Sequence, residues 1–438
     1  MTAIDDLNKG WTIKRFEELF AEPQRNGIYK TKEFHGRGQK IINMGELFGY
    51  DFISDQEMKR VELTPKELEK SLVKDGDLLF ARRSLVLEGS GKCSLVVRPS
   101  EDTTFESSII RTRLDKNEAE PKFYYYLFRS PLGRALMSSI ATQTAVSGIT
   151  GSNLVQLRVP HPPLPIQRKI AAILSAYDRL IENNTRRIEI LEEMARSIYR
   201  EWFVKFRFPG HEKVQMVDSE LGLIPEGWEV KQLDDIVLEI IDYRGKTPKK
   251  LGGDWSESGI LAISAKNIKQ GKLINLDKSN CVDEALYKKW MKSELKQGDI
   301  LMTSEAPLGE LYYLVKHHKF CLSQRVYSIR ANPDIIHPPI LFSALYSPLI
   351  QEQIYARQSG TTVLGIRQTE LRKVAVIVPL MELQISAARM LNNFFNAIET
   401  LQVKNDNLRL TRDLLLPRLI SGEIDVENLD INTGEIAA

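Results

Sequence analysis

The feature that most constrains this chain is that it is written twice. GWTIKRFEELF at residues 10–20 returns as GWEVKQLDDIV at 227–237, an offset of 217. The same offset relates Ser130-Pro131 to Ser347-Pro348, Leu154 to Leu371, Pro162 to Pro379 and Gln167 to Gln384. Thr144, Val146, Gly148 and Ile149 match Thr361, Val363, Gly365 and Ile366 in the same way. Between these anchors KDGDLLF (74–80) is echoed by KQGDILM (296–302) at an offset of 222, so the second copy gains residues early and loses them before Ser347. Compensating shifts of this kind belong in surface loops around a common frame.

At 438 residues the chain exceeds a single core, and the usual domain size suggests about three units. Each copy runs from a variable half into a helical half. The variable halves carry short apolar runs (DLLFA, CSLVV, SIIRTRL) broken by Gly, Pro, Asn and Ser, as expected of strands and turns. Near their ends FYYYLFRSPLGRALM and ILFSALYSPLIQEQI predict helices, and LRVPHPPLP and VAVIVPL predict Pro-bounded strands. From Pro165 onward apolar residues fall at Ile166, Ile170, Ile173, Tyr177 and Leu180, then after Asn184 at Ile188, Leu191, Ala195, Ile198 and Trp202. The second copy repeats the pattern at Leu383, Ala387, Met390, Phe394, Ile398, Leu401, Asn405, Leu408 and Leu415. Steps of three and four mark long helices with a coiled-coil seam. Pro165 marks one start and Pro417 one stop. Asn184 and Asn405 are seam positions where a polar residue could fix register.

Two such helices in one chain pack on each other. The expected fold class is therefore α+β: two tandem mixed α/β recognition domains joined by two long helices in an antiparallel coiled coil, with pseudo-two-fold symmetry. The expected boundaries are 1–163 for the first domain, 164–208 for its helix, 209–380 for a linker and the second domain, 381–422 for the second helix and 423–438 for an acidic tail. The aromatic cluster Tyr199, Trp202, Phe203, Phe206 and Phe208 is expected to pack the first helix end against the second domain.

Charge and cysteine usage narrow the function. Net charge is only +2, yet residues 24–40 hold Arg25, Lys30, Lys32, Arg37 and Lys40 against one acid, and DYRGKTPKK (242–250) is similarly basic. Local basic patches on a neutral chain fit contact with a polyanion at chosen places. Cys93, Cys281 and Cys321 are scattered, which argues for a reducing cytoplasm and against a disulfide or zinc framework. MTAIDD lacks the features of a secretory leader, and no apolar run reaches membrane-spanning length. GSGKC at 89–93 lacks the first glycine and final hydroxyl of a phosphate loop, where Val86 and Cys93 stand, and reads as a turn between strands. A methyltransferase cofactor loop and catalytic Pro-Pro-aromatic segment are also missing from the sequence, as is HExxH, so no catalytic or metal residues are expected.

The segments PLPIQRKIAAILSAYDRLIENN, RSIYREWFVKFRFPGHE, SELGLIPEGWEV, DYRGKTPKK, ISAKNIKQGKL, GDILMTSEAPLG and LLLPRLISGEI, in this order, resemble the specificity subunit of type I restriction–modification systems. The resemblance spans nearly the whole chain. One departure is that the usual Glu-Gln after the proline strand is Ile166-Gln167 and Leu383-Gln384 here. The resemblance implies a non-catalytic cytoplasmic subunit whose two target-recognition domains each read half of a bipartite, asymmetric site in double-stranded DNA. It implies helices that set the spacer and dock two methyltransferase subunits, with restriction/translocase subunits outside. It implies no cofactor in this chain, with S-adenosylmethionine, ATP and magnesium on the partner subunits.

By side-chain chemistry the DNA-contacting candidates of the first half are Arg37, Lys40, Arg82, Arg83 and Ser84, with Thr142, Gln143 and Thr144. Those of the second half are Arg244, Lys246, Lys249, Lys266, Asn267, Ser304, Ser359 and Thr361. A reading of a different class is a coiled-coil scaffold or adaptor whose twin domains bind protein.

Overall fold

The computed structural model describes residues 10–84, 89–142, 147–360 and 363–434. It divides into two compact units: residues up to Asn183 together with those from Asn405, and Asn184–Lys404. Each long helix thus gives one part to either unit. The first runs Leu164–Tyr199 and continues as a π-helical turn to Val204; the second runs Met381–Ile420.

The first unit centres on a five-stranded sheet in the spatial order Phe20–Asn26, Ile109–Leu114, Leu78–Ala81, Cys93–Val96, Phe52–Ile53, with only the last pairing parallel. In the second unit Val237–Asp242, Val326–Ala331, Ile300–Thr303 and Leu311–Tyr313 form the equivalent antiparallel sheet. A smaller three-stranded sheet accompanies each, around His35–Ile42 in the first and Ile260–Ile263 in the second. The segment 89–92 is a turn entering Cys93–Val96, as its glycines predict.

The repeated Gly-Trp opening has a structural cause. Thr12–Arg15 pairs antiparallel with Arg158–His161, and Glu229–Gln232 pairs in the same register with Ala375–Val378. Each opening strand therefore clamps the proline strand that feeds a long helix. Trp11 packs edge-on against Phe123, while Trp228 is buried under Phe203, Phe206 and Phe208. The aromatic end of the first helix is thus core of the second unit, as expected.

Two further constructions are built twice. The buried Gln167 amide donates to Pro162 O (2.7 Å) and accepts from Glu120 N–H (2.9 Å), the N-cap of helix Pro121–Arg129. Gln384 does the same with Pro379 O (2.8 Å) and His337 N–H (2.9 Å), the N-cap of helix Pro338–Leu345. Arg113 forks onto both oxygens of the fully buried Asp77 at 2.7 Å and reaches Glu22 at 2.9 Å. Arg330 forks onto buried Asp299 at 2.8 and 2.7 Å and reaches Glu239 at 3.1 Å. Both aspartates also accept the N–H of the lysine that opens their KxGD turn, Lys74 and Lys296. The two helices expected near the end of each variable half are each broken in two at Ser-Pro: Ser130 and Ser347 are N-caps and the prolines occupy the first turn.

The long helices run antiparallel within the first unit. Arg412 pairs with Asp178, and the buried Asn405 side chain bonds Ile181 O at 3.4 Å. The seam departs from the sequence pattern in one place. Leu180 is half exposed, while Leu174, Asp178 and Ile181 face inward, because the helix here packs on the domain core through Ala171 and Leu174 as well as on its partner. A second correction concerns Pro417, which lies inside the helix and does not stop it. Its missing N–H removes only a bond to the carbonyl of exposed Asp413, which water can serve. The helix ends instead at Ile420, and Gly422 in the turn beyond it takes the left-handed conformation. The acidic segment after it is not free: Val426 is buried in the first core, and Lys169 donates to Glu427 O at 2.7 Å.

Arg330→Met should cost about 3–5 kcal/mol, because it strands the Asp299 carboxylate in the core. Adding Asp299→Asn should recover part of the loss. Denaturant unfolding measures both; equal stability of wild type and Arg330→Met would refute the assignment of this fork as a frame contact.

Candidate nucleic-acid interface

At one end of each central sheet the chain makes the same junction. Arg82 N–H donates to Ser108 O (2.8 Å), and Ile149 N–H donates to Arg82 O (3.0 Å). Arg83 and Ser84 then pair with Gly148 and Ser147, and Gly148 also bridges Thr142. In the second unit Ser304 N–H donates to Arg325 O (2.8 Å), and Ile366 N–H donates to Ser304 O (2.9 Å). Gly365 bridges both Glu305 and Ser359. The repeated glycine has a steric reason: a Cβ at Gly148 would stand 2.9 Å from Arg82 O, and one at Gly365 2.8 Å from Ser304 O.

This junction brings together candidates some sixty residues apart in sequence. Arg82, Arg83, Ser84 and Thr142 converge on one sheet end. Arg83 and Thr142 are exposed and Arg82 and Ser84 half-buried; neither arginine has an acidic partner among the described residues. Gln143 and Thr144, which continue from Thr142, lie outside the described residues, as does Thr361 in the second unit. Ser359 is exposed at the equivalent junction.

The other candidates divide by what holds them. Lys249 and Lys266 are exposed. Arg244 is exposed and bound to Asp242. Lys246 donates to Trp290 O at 3.1 Å and sits 4.3 Å from the centre of the Tyr243 ring, which ties it to its own domain. Arg37 is paired with Glu62 at 2.7 Å, and Lys40, with only 12% of its side chain exposed, is paired with Glu101 at 3.1 Å. With Lys30 bound to Glu67 at 2.7 Å, the basic stretch 24–40 is largely neutralised from within; that bond holds the Glu67 carboxyl down at about 2. Lys40 is therefore better placed to hold the domain than to meet a phosphate.

Asn267 and Ser304 leave the set. The Asn267 amide is buried, accepting from Ser264 N–H (3.0 Å) and donating to Ile274 O (3.1 Å) and Ser279 Oγ (2.8 Å), so it closes a turn. Ser304 is buried and contributes its backbone to the junction.

The structure adds residues that sequence reasoning did not select. Arg25 is exposed on the strand edge, Tyr29 is 80% exposed, and Arg325, in the left-handed conformation, pairs with Glu305 at 2.8 Å. Superposing the repeats was the available signal. By ladder partner Asn26 and Asp242 occupy the same frame position, because a bulge between Arg111 and Arg113 shifts the first strand by one residue; Ser108 and Arg325 match, as do Arg83 and Glu305. One frame thus carries two corners of different charge: unbraced arginines in the first, arginine–carboxylate pairs in the second.

Among the described residues no helix is long and apolar enough to cross a membrane. Residues 8–193 and 225–409 each match the family model for the type I restriction modification DNA specificity domain, so the family's unit is the domain with its following helix. The type I restriction enzyme MjaIX specificity subunit of Methanocaldococcus jannaschii is 25% identical over 432 residues, covering 98% of this chain and 96% of that one. The HindI specificity subunit of Haemophilus influenzae is 22% identical over 444 residues, covering 88% and 94%. The crystal structure of a type I restriction–modification S subunit from M. genitalium shares the fold, with a TM-score of 0.60 at 16% identity over 96% of this chain and 98% of that one. Two tandem specificity domains, each continued by its long helix, place this chain in the type I restriction–modification DNA specificity family, as a subunit that recognises DNA sequence and is not itself the catalyst.

Proposed function

We propose that each unit's sheet-end junction reads one half of a split, asymmetric site in double-stranded DNA. The observation that carries this is the pair of corners: the same backbone frame, held by the same buried bonds, presents different side chains at matching positions. Surfaces that differ in donors and acceptors suit different base sequences. In this proposal the long helices set the separation of the half-sites and dock two methyltransferase subunits, with restriction/translocase subunits joining outside them. S-adenosylmethionine, ATP and magnesium belong to those partners, and the complex acts in the cytoplasm. The antiparallel packing of the helices supports the spacer role, since a long helical pair resists bending better than a loop.

Two experiments test this. Replacing residues 10–163 with the equivalent domain of a related subunit should change one half of the methylated motif and leave the other as it was. A change in both halves would rule out independent readers. Inserting one heptad in each long helix, at seam positions that face each other, should lengthen the pair by about 10 Å. The methylated motif should then gain roughly three base pairs of spacer. An active variant that retains the original spacer would show that the helices do not set the distance.

A further inference from the structure

We propose that Arg244 reads a guanine, through O6 and N7 in the major groove, within the half-site of the second domain. This rests on the DNA-specificity reading above and adds the base and the side chain that selects it.

The argument begins with how firmly Arg244 is held. Asp242 ends its strand directly opposite Tyr327, and the chain turns back so that Arg244 N–H donates to Asp242 Oδ1 at 2.9 Å. The side chain follows: Nε donates to Oδ1 and Oδ2 at 3.0 and 3.1 Å, and Nη2 to Oδ2 at 2.8 Å. The guanidinium carbon lies 4.5 Å from the centre of the Tyr327 ring. That ring is itself immobile, being fully buried with its hydroxyl donating to Ile366 O at 2.9 Å within the junction. A flexible side chain is thereby fixed on a flat platform before DNA arrives, which lowers the entropy lost on binding.

The bonds to Asp242 use only one edge of the guanidinium, formed by Nε and Nη2. The end-on edge, Nη1 with the second N–H of Nη2, has no acceptor among the described residues, and Arg244 is exposed. Two parallel N–H donors in a plane are what guanine O6 and N7 accept. A phosphate contact fits this corner poorly. Asp242 lies against Arg244, and Glu305, paired to Arg325, adds a second carboxylate to the same sheet end. Two carboxylates would repel the backbone, whereas a base edge asks for orientation more than net charge. The first domain, with Asn26 opposite Ile110 where Asp242 stands opposite Tyr327, lacks this reader.

The test uses the subunit assembled with its methyltransferase partners and duplexes in which each guanine of the recognised site is replaced in turn by 7-deazaguanine. For the wild type, one replacement in the second domain's half-site should weaken binding by about ten-fold. R244K, which keeps the charge, should bind the unmodified duplex about as weakly, lose nothing further on that 7-deaza duplex, and keep the other half-site unchanged. D242N, which keeps the arginine and removes its brace, should lose discrimination at the same base pair and serves if R244K fails to assemble. In R244A, which removes the charge, uniform weakening across all duplexes with a salt dependence shallower by about one counterion would make Arg244 a phosphate contact and overturn the proposal. So would unchanged binding by R244K. A wild-type complex indifferent to duplex sequence would instead refute the DNA-specificity reading itself.

Discussion

A buried side-chain amide at the root of each long helix holds the rest of the molecule in register. Gln167 and Gln384 are completely buried, and each ties three segments together: the end of the proline strand, the approach to the two-helix segment, and the helix N-cap. The task needs a donor for two carbonyls and an acceptor for an N–H on one short planar group. A carboxylate there would face carbonyl oxygens with negative charge and no proton to give. This explains why the glutamine of the Glu-Gln pair is present in both copies while the acidic neighbour is replaced by Ile166 and Leu383.

Because the helix and the domain are fastened by bonds inside the frame, the reading corner is free to differ. The Arg–Asp–Glu forks of Arg113 and Arg330 tie the sheet strands to the KxGD turn that enters them and use no residue of the reading junction. Much of the apparent basic charge is also internal, as the pairs of Lys30, Arg37 and Lys40 show. At each sheet end itself a short list of cations is exposed. Such a surface draws less on general attraction to a polyanion and more on the match of particular side chains.

The duplication and the long helices were legible because each rests on a local period, whereas the capping that breaks each shorter helix at Ser-Pro was not read from the sequence. Roles decided by tertiary neighbours were not. Asn267 has the composition of a DNA contact, but its amide is consumed by its own turn. Leu180 satisfies the heptad, yet the domain core draws the helix round so that Ile181 faces the partner instead. Arg82 and Thr142 were selected separately; only the ladder through Gly148 shows that they share a corner. Arg325 was passed over because no basic run surrounds it, and only its frame position beside Glu305 marks it.

The division of the chain between the units bears on its synthesis. The second unit is one continuous stretch, but the first is closed by residues made after it: Leu416, Leu419, Ile420 and Val426 complete a core that includes Phe16, Ile170 and Leu174. On the ribosome, the first unit therefore waits, with part of its apolar surface uncovered, until the second long helix emerges. A message broken short of that helix would yield a chain whose first unit cannot close, marked for chaperone or protease by its own exposed core.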